Sequence, residues 1–198
     1  QLYDTESLIN AAIFRDYAKN WRLVPAPPKA RRIGGYECTL AEGFSEQLGL
    51  ATLVQGTPPA DFLDAAVKYL AMHEFGHALG LRHNFKGSST IPIDKLQDAA
   101  YTREHGLSGS ILDYPAVNLA PPGQTQGEYF PSTLGAYDYW AIEYGYKPIL
   151  GPLTAVEELP ELEKVAARST EPELAFATDE DYYSAYNPDP YTNQFDLG

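Results

Sequence analysis

Four residues in one short stretch are of types that carry out hydrolysis together. They are His73, Glu74, His77 and His83, set out as His-Glu-x-x-His-x-x-Gly-x-x-His with Gly80 in the glycine place. Two histidines four apart on a helix lie one turn apart on the same face. Each can then give a ring nitrogen to one Zn²⁺ at about 2.0–2.1 Å. Glu74 is poorly placed to be a third ligand from the same helix, but well placed to take a proton from a metal-bound water. Zinc brings the pKa of such a water to about 7, so a carboxylate base suffices. A straight helix would carry His83 past the metal. Gly80 can adopt positive φ, end the helix and let the chain turn back. His73, His77 and His83 then make a three-histidine site whose fourth position is open for water and substrate, as catalytic zinc requires. Three of the chain's four histidines fall in this register, which makes a helix with unrelated histidines a poor account.

The motif needs a helix beneath it. One is expected from residue 61 to Gly80, with Asp61 as its N-cap and Asp64 in its first turn. Leu63, Val67, Leu70, Phe75, Ala78 and Leu79 occupy nearly every side, which predicts burial all round. Further helices are expected over residues 4–21, over 39–55 with Leu40, Phe44, Leu48 and Ala51 on one face, and within 94–105 before Gly106. Another spans 133–144, capped by Ser132 and closed by Gly145, with Leu134, Tyr137, Trp140, Ala141 and Tyr144 turned inward. A charged helix over 154–169 carries Pro160 as a defect. Weak strand candidates are 50–54 and 91–93. His105 reads as a helix C-terminal cap. After Glu171 the chain is acidic. Asp179, Glu180, Asp181, Asp189 and Asp196 lack the spacing of a calcium loop and read as solvated surface.

The stretch from Met72 to Ser88, Met-His-Glu-Phe-Gly-His-Ala-Leu-Gly-Leu-Arg-His-Asn-Phe-Lys-Gly-Ser, resembles the metzincin clan of zinc peptidases. It is similar in particular to large bacterial zinc-dependent metalloproteases with a metzincin-like domain. Ser-Ile-Leu-Asp-Tyr-Pro from Ser110 and Tyr-Asp-Tyr-Trp-Ala-Ile-Glu-Tyr-Gly from Tyr137 carry the likeness further. The resemblance implies a tight turn beneath the zinc site, placed here at 109–114. Its usual Met is replaced by Leu112, which is close in volume and can keep an apolar floor under the imidazoles. The resemblance also makes Tyr114 a candidate to ligate zinc or steady the transition state, beside the plain alternative of a packed core tyrosine. It implies an N-terminal twisted sheet, which the helical residues before the motif do not supply. That sheet is expected before residue 1, in a larger parent chain with other domains. A secreted or bacterial envelope location is implied in the same way.

The fold class expected is thus mainly α, a metzincin-like zinc-protease catalytic fragment whose N-terminal β-sheet is short or missing. Residues 1–60 form a helical remainder of the N-terminal subdomain, 61–150 the zinc-binding core, and 151–198 a C-terminal helix and acidic extended tail. A formal charge of −13 argues against nucleic acid as partner, since phosphate binding needs clustered Lys and Arg. No apolar run approaches the roughly 20 residues of a membrane span. Cys38 is the one cysteine, so it has no intrachain disulfide partner and reads as a small buried apolar side chain. The function expected is zinc-dependent endopeptidase action on a peptide or protein substrate, with Glu74 as general base. The alternatives are a zinc-binding but inactive structural or interaction domain, and a helical bundle without metal.

Overall fold

The computed structural model describes residues 32–33, 36–57, 59–151, 154–182 and 189–195. The helix expected over 4–21 lies outside them. The protein is mainly α. Among the described residues the α-helices are α1 (Leu40–Gln55), α2 (Phe62–Ala78), α3 (Ala99–His105), α4 (Ala136–Tyr146), α5 (Ala155–Ala166) and the single turn α6 (Asp179–Tyr182). Among the described residues, the strands are β1 (Arg32–Ile33) and β2 (Tyr36–Glu37), paired antiparallel with Arg32 opposite Glu37. No helix among the described residues is long and apolar enough to cross a membrane.

α1 forms because Leu40, Phe44, Leu48 and Ala51 recur at helical spacing; Leu40, Phe44 and Ala51 are buried. The same stripe carries 50–54 into the helix, so that strand candidate fails. Residues 91–93 are not a strand either; a 3₁₀ turn, Ile93–Lys95, begins at their end. α2 buries Phe62, Ala66, Tyr69, Leu70, His73, Gly76 and His77, a stripe at spacings of three and four. The expectation of burial all round is corrected: Phe75 is 65% exposed. Aromatics fix the buried face. Phe44 meets Tyr69 and Phe130 edge-on at centroid distances of 5.9 and 5.4 Å, and Phe62 meets Phe130 at 5.1 Å. α1 and α2 are thereby joined over one core.

Asp61 stands at the N-cap of α2, but its side chain makes no capping bond. The other end is firmly closed. Gly80 takes φ +86°, its N–H donates to the His77 carbonyl, and the Leu81 N–H donates to the Gly76 carbonyl. That pair of bonds is a Schellman close, which needs a residue content in the left-handed region. α3 is capped by Asp98, whose carboxylate accepts from the N–H groups of Ala100 and Tyr101.

Two expectations for α4 are corrected. Its cap is Gly135 rather than Ser132, whose hydroxyl instead donates to Glu128. Its buried residue is Asp138, while Tyr144 is 47% exposed. The reason is polar. Asp138 accepts from the Gly135 N–H, the Ser110 hydroxyl and the Ile111 N–H, and so turns that face inward. The helix also runs past Gly145 to Tyr146. α5 tolerates Pro160 and packs on α4, with Trp140 Nε1 donating to the Val165 carbonyl at 2.7 Å.

Leu112 is fully buried, and its methyl carbons press on Gly76 of α2. A Cβ at Gly76 would stand 2.6 Å from Leu112 Cδ2. Gly76→Ala is therefore expected to cost about 1–3 kcal/mol by overpacking. Leu112→Ala should cost roughly 2–5 kcal/mol and Leu112→Met less than about 1.5 kcal/mol. Chemical denaturation of the three variants checks the order, and a Leu112→Met loss as large as that of Leu112→Ala would contradict it.

Candidate metal centre

α2 brings His73 and His77 to one face, with ring centroids 4.7 Å apart. After the Gly80 close the chain doubles back, and the His83 ring comes within 4.6 Å of that of His77 and 5.4 Å of that of His73. All three imidazoles are buried. The spacing of the motif is thus realised as one cluster. His105 lies outside it, exposed at the end of α3 and beside the ring of Tyr101.

Each ring is oriented through Nδ1. His73 Nδ1 donates to the Ile111 carbonyl at 2.7 Å, and His77 Nδ1 to the Leu81 carbonyl at 2.9 Å. His83 Nδ1 faces both oxygens of Asp179, at 2.9 and 3.1 Å. Carbonyls and carboxylates only accept, so the ring hydrogens sit on Nδ1 and the Nε2 lone pairs point inward. His77 and His83 then bring two Nε2 atoms to 3.1 Å. Tetrahedral zinc with bonds of about 2.0–2.1 Å needs nitrogens about 3.4 Å apart. Two lone pairs facing at such a distance call for a cation between them. The residues present therefore fit zinc.

Asp179 and the turn are the supports. Asp179 belongs to the stretch expected to be solvated tail, yet it is buried against His83. Burial raises its carboxyl, but the hydrogen bond from His83, with Arg82 nearby, more than offsets that and holds it below the ordinary carboxylate range. Asp189 is likewise no free surface group, since it pairs with Lys86 at 2.5 Å. Asn84 is fully buried and ties three strands of chain together. Its N–H donates to Leu112 O, its amide nitrogen donates to Ala175 O, and its amide oxygen accepts from Ala177 N–H. A local signal for order at this end was available: Thr178 stands three residues before Asp181, whose carboxylate accepts the Thr178 N–H as in a capping box. The contact to His83 spans 96 positions and leaves no local trace.

Around the three Nε2 atoms stand Glu74, Tyr114 and Cys38. Tyr114 is buried, its hydroxyl 3.1 Å from His83 Nε2 and donating to Cys38 Sγ at 3.2 Å. Glu74 Oε1 accepts the Cys38 thiol at 3.4 Å. Cys38 is buried in the core cluster, as expected, and its sulfur also meets polar groups: it and the three imidazoles offer donor atoms all within 4.8 Å of one another. Burial raises the Glu74 carboxyl and the Tyr114 phenol, and pushes the Cys38 thiol up to about 12. Burial also drives His73 well down and His77 to about 4, with the neighbouring imidazoles adding to both. Neutral, ligand-ready rings are the result.

A mainly α domain with a buried histidine cluster above an apolar turn has the donors to hold a metal ion. Residues 56–198 match the family model described as Met-zincin, and the chain belongs to that family. Comparison with curated proteins and with solved structures gave no match.

Asp179→Asn keeps the shape but weakens the acceptor on His83, so zinc affinity should fall by about 10–100-fold. Competition against a fluorescent chelator measures it, and unchanged affinity would remove Asp179 from the site. The pH dependence has a definite sign. His77 titrates near 4 in the folded protein against an ordinary 6.5. Between these values the unfolded chain holds the proton that the folded chain refuses, so stability is full above about 6.5 and is lost as pH falls toward 4. Melting midpoints of chelator-treated protein should fall across that window; a flat profile would contradict it.

Proposed function

We propose that this chain hydrolyses peptide bonds as a zinc-dependent endopeptidase, with His73, His77 and His83 holding the ion through Nε2. The observation that carries the reading is the convergence of those nitrogens beside Glu74, a carboxylate that metal binding alone does not require. When bound, zinc supplies Lewis acidity and lowers the pKa of a water to about 7. Glu74 accepts the proton of the attacking water as its oxygen adds to the scissile carbonyl carbon. The same carboxyl then gives that proton to the amide nitrogen as the C–N bond breaks. Its raised pKa, caused by burial, suits both halves of that exchange. Tyr114, kept protonated by burial, is a hydroxyl donor for the oxyanion that the substrate carbonyl becomes. Leu112 and the turn at 109–114 hold the floor.

A second reading, a zinc-holding domain without catalysis, draws on the sulfur of Cys38 among the histidines, because a fourth protein donor closes a site. The retained base at Glu74 favours catalysis.

Glu74→Gln is nearly isosteric and cannot take a proton. It should keep one zinc per chain and lose turnover of a casein-type substrate by about 10²–10⁴-fold. His77→Ala should lose the zinc as well. Undiminished hydrolysis by purified Glu74→Gln protein would refute the role, and equal zinc in wild type and His77→Ala would refute the ligand set.

A further inference from the structure

We infer that residues 189–195 complete the catalytic arrangement, and that Phe195 is a positioning residue that holds Tyr114 where its hydroxyl serves the reaction. This role rests on the peptidase reading above, in which Tyr114 donates to the oxyanion. A phenol can do so only if it keeps one place, and the Tyr114 hydroxyl stands 3.1 Å from His83 Nε2. The turn itself supplies part of the hold, since the Tyr114 N–H donates to Asp113 Oδ1 at 2.6 Å. The Tyr114 carbonyl is held from the far end of the chain. It accepts the Phe195 N–H at 2.5 Å.

The same residue also meets the ring. The centroids of Phe195 and Tyr114 lie 5.5 Å apart, with the planes tilted by 36°. Phe195 stands against Gly43 of α1 as well. A Cβ at Gly43 would be 1.9 Å from Phe195 Cζ and 2.2 Å from Cε1. Glycine inside a helix weakens it, and this one clears the socket in which the ring sits. Phe195 has φ +58°, and among the described residues it is the one non-glycine residue with positive φ. Bulky side chains rarely take that region, and such outliers gather where function needs them. Packing alone does not call for it. Here one residue delivers its N–H to the turn and its ring to α1.

The segment is anchored upstream too. Asp189 pairs with Lys86 at 2.5 Å, and its carboxylate accepts the Tyr191 N–H at 2.9 Å. Lys86 stands three residues after His83. The Thr192 N–H donates to the Asp189 carbonyl at 3.1 Å. Residues 189–195 therefore run as a tied strap from the loop that carries His83 to the turn that carries Tyr114.

Phe195→Ala and Gly43→Ala remove the contact from opposite sides. In the zinc-loaded chain each should lower kcat on fluorescein-labelled casein by about 10–100-fold with KM nearly unchanged, because an oxyanion contact forms only in the transition state. Affinity for a phosphinic peptide, whose tetrahedral centre mimics the adduct, should fall by a similar factor in calorimetry. In a Tyr114→Phe background the same substitutions should change kcat by less than about twofold, because Phe195 acts through the hydroxyl that is missing there. Equal losses in both backgrounds, or a raised KM at unchanged kcat, would overturn the role of Phe195 and leave the peptidase reading standing. A zinc-loaded wild type without turnover would overturn both. Should Phe195→Ala fail to fold, Phe195→Leu, which keeps the N–H and an apolar side chain but not the ring, carries the same comparison.

Discussion

Each clustered imidazole donates its Nδ1 hydrogen to an acceptor that cannot donate one back, and most of the surrounding structure serves to hold those acceptors in place. Turned this way, the rings aim Nε2 lone pairs at a common point, with two of them 3.1 Å apart. Bare lone pairs at that distance repel, and buried imidazoles have little water to relieve them. A cation at the centre removes the repulsion and uses all the nitrogens at once. The arrangement is thus held by the fold and is one that a metal ion could complete.

The acceptors come from three different places. Leu81 O is delivered by the Schellman close at Gly80, so the same turn that ends α2 also orients His77. Ile111 O is delivered by the turn beneath the helix, and that turn is itself pinned by Asp138 through the Ser110 hydroxyl and the Ile111 N–H. Asp179 arrives from the far end of the chain, guided by Asn84 and by the Phe85 N–H bond to Ala177 O. Local packing explains why α2 can come so close to the turn: Gly76 has no side chain where Leu112 presses. Fold and site therefore share residues, and a loss in either is felt in the other.

What could be read from the sequence was what is local. The motif, the helix beneath it, the bend at Gly80 and the stripe Leu40–Phe44–Ala51 all follow from short spacings, and the structure has each. The helical class followed from the same periods. Cys38, Asp138 and Asp179 were not legible in their contacts. Their partners lie 35, 27 and 96 positions away, and a single pairing at such a distance leaves no period. Composition misled in two places. An acidic, Pro-rich stretch suggested solvated surface, yet one of its carboxylates is buried against an imidazole. An aromatic-rich α4 suggested an apolar inner face, yet the buried group is Asp138, because three donors await it there.

The central claim is that one zinc ion sits among the Nε2 atoms of His73, His77 and His83. Crystals of the zinc-loaded chain, measured on both sides of the zinc absorption edge, test it most directly. The account predicts a single strong anomalous peak per chain, within about 2.0–2.1 Å of all three nitrogens. A peak at some other group of side chains, or none at the cluster in crystals that contain zinc, would contradict it.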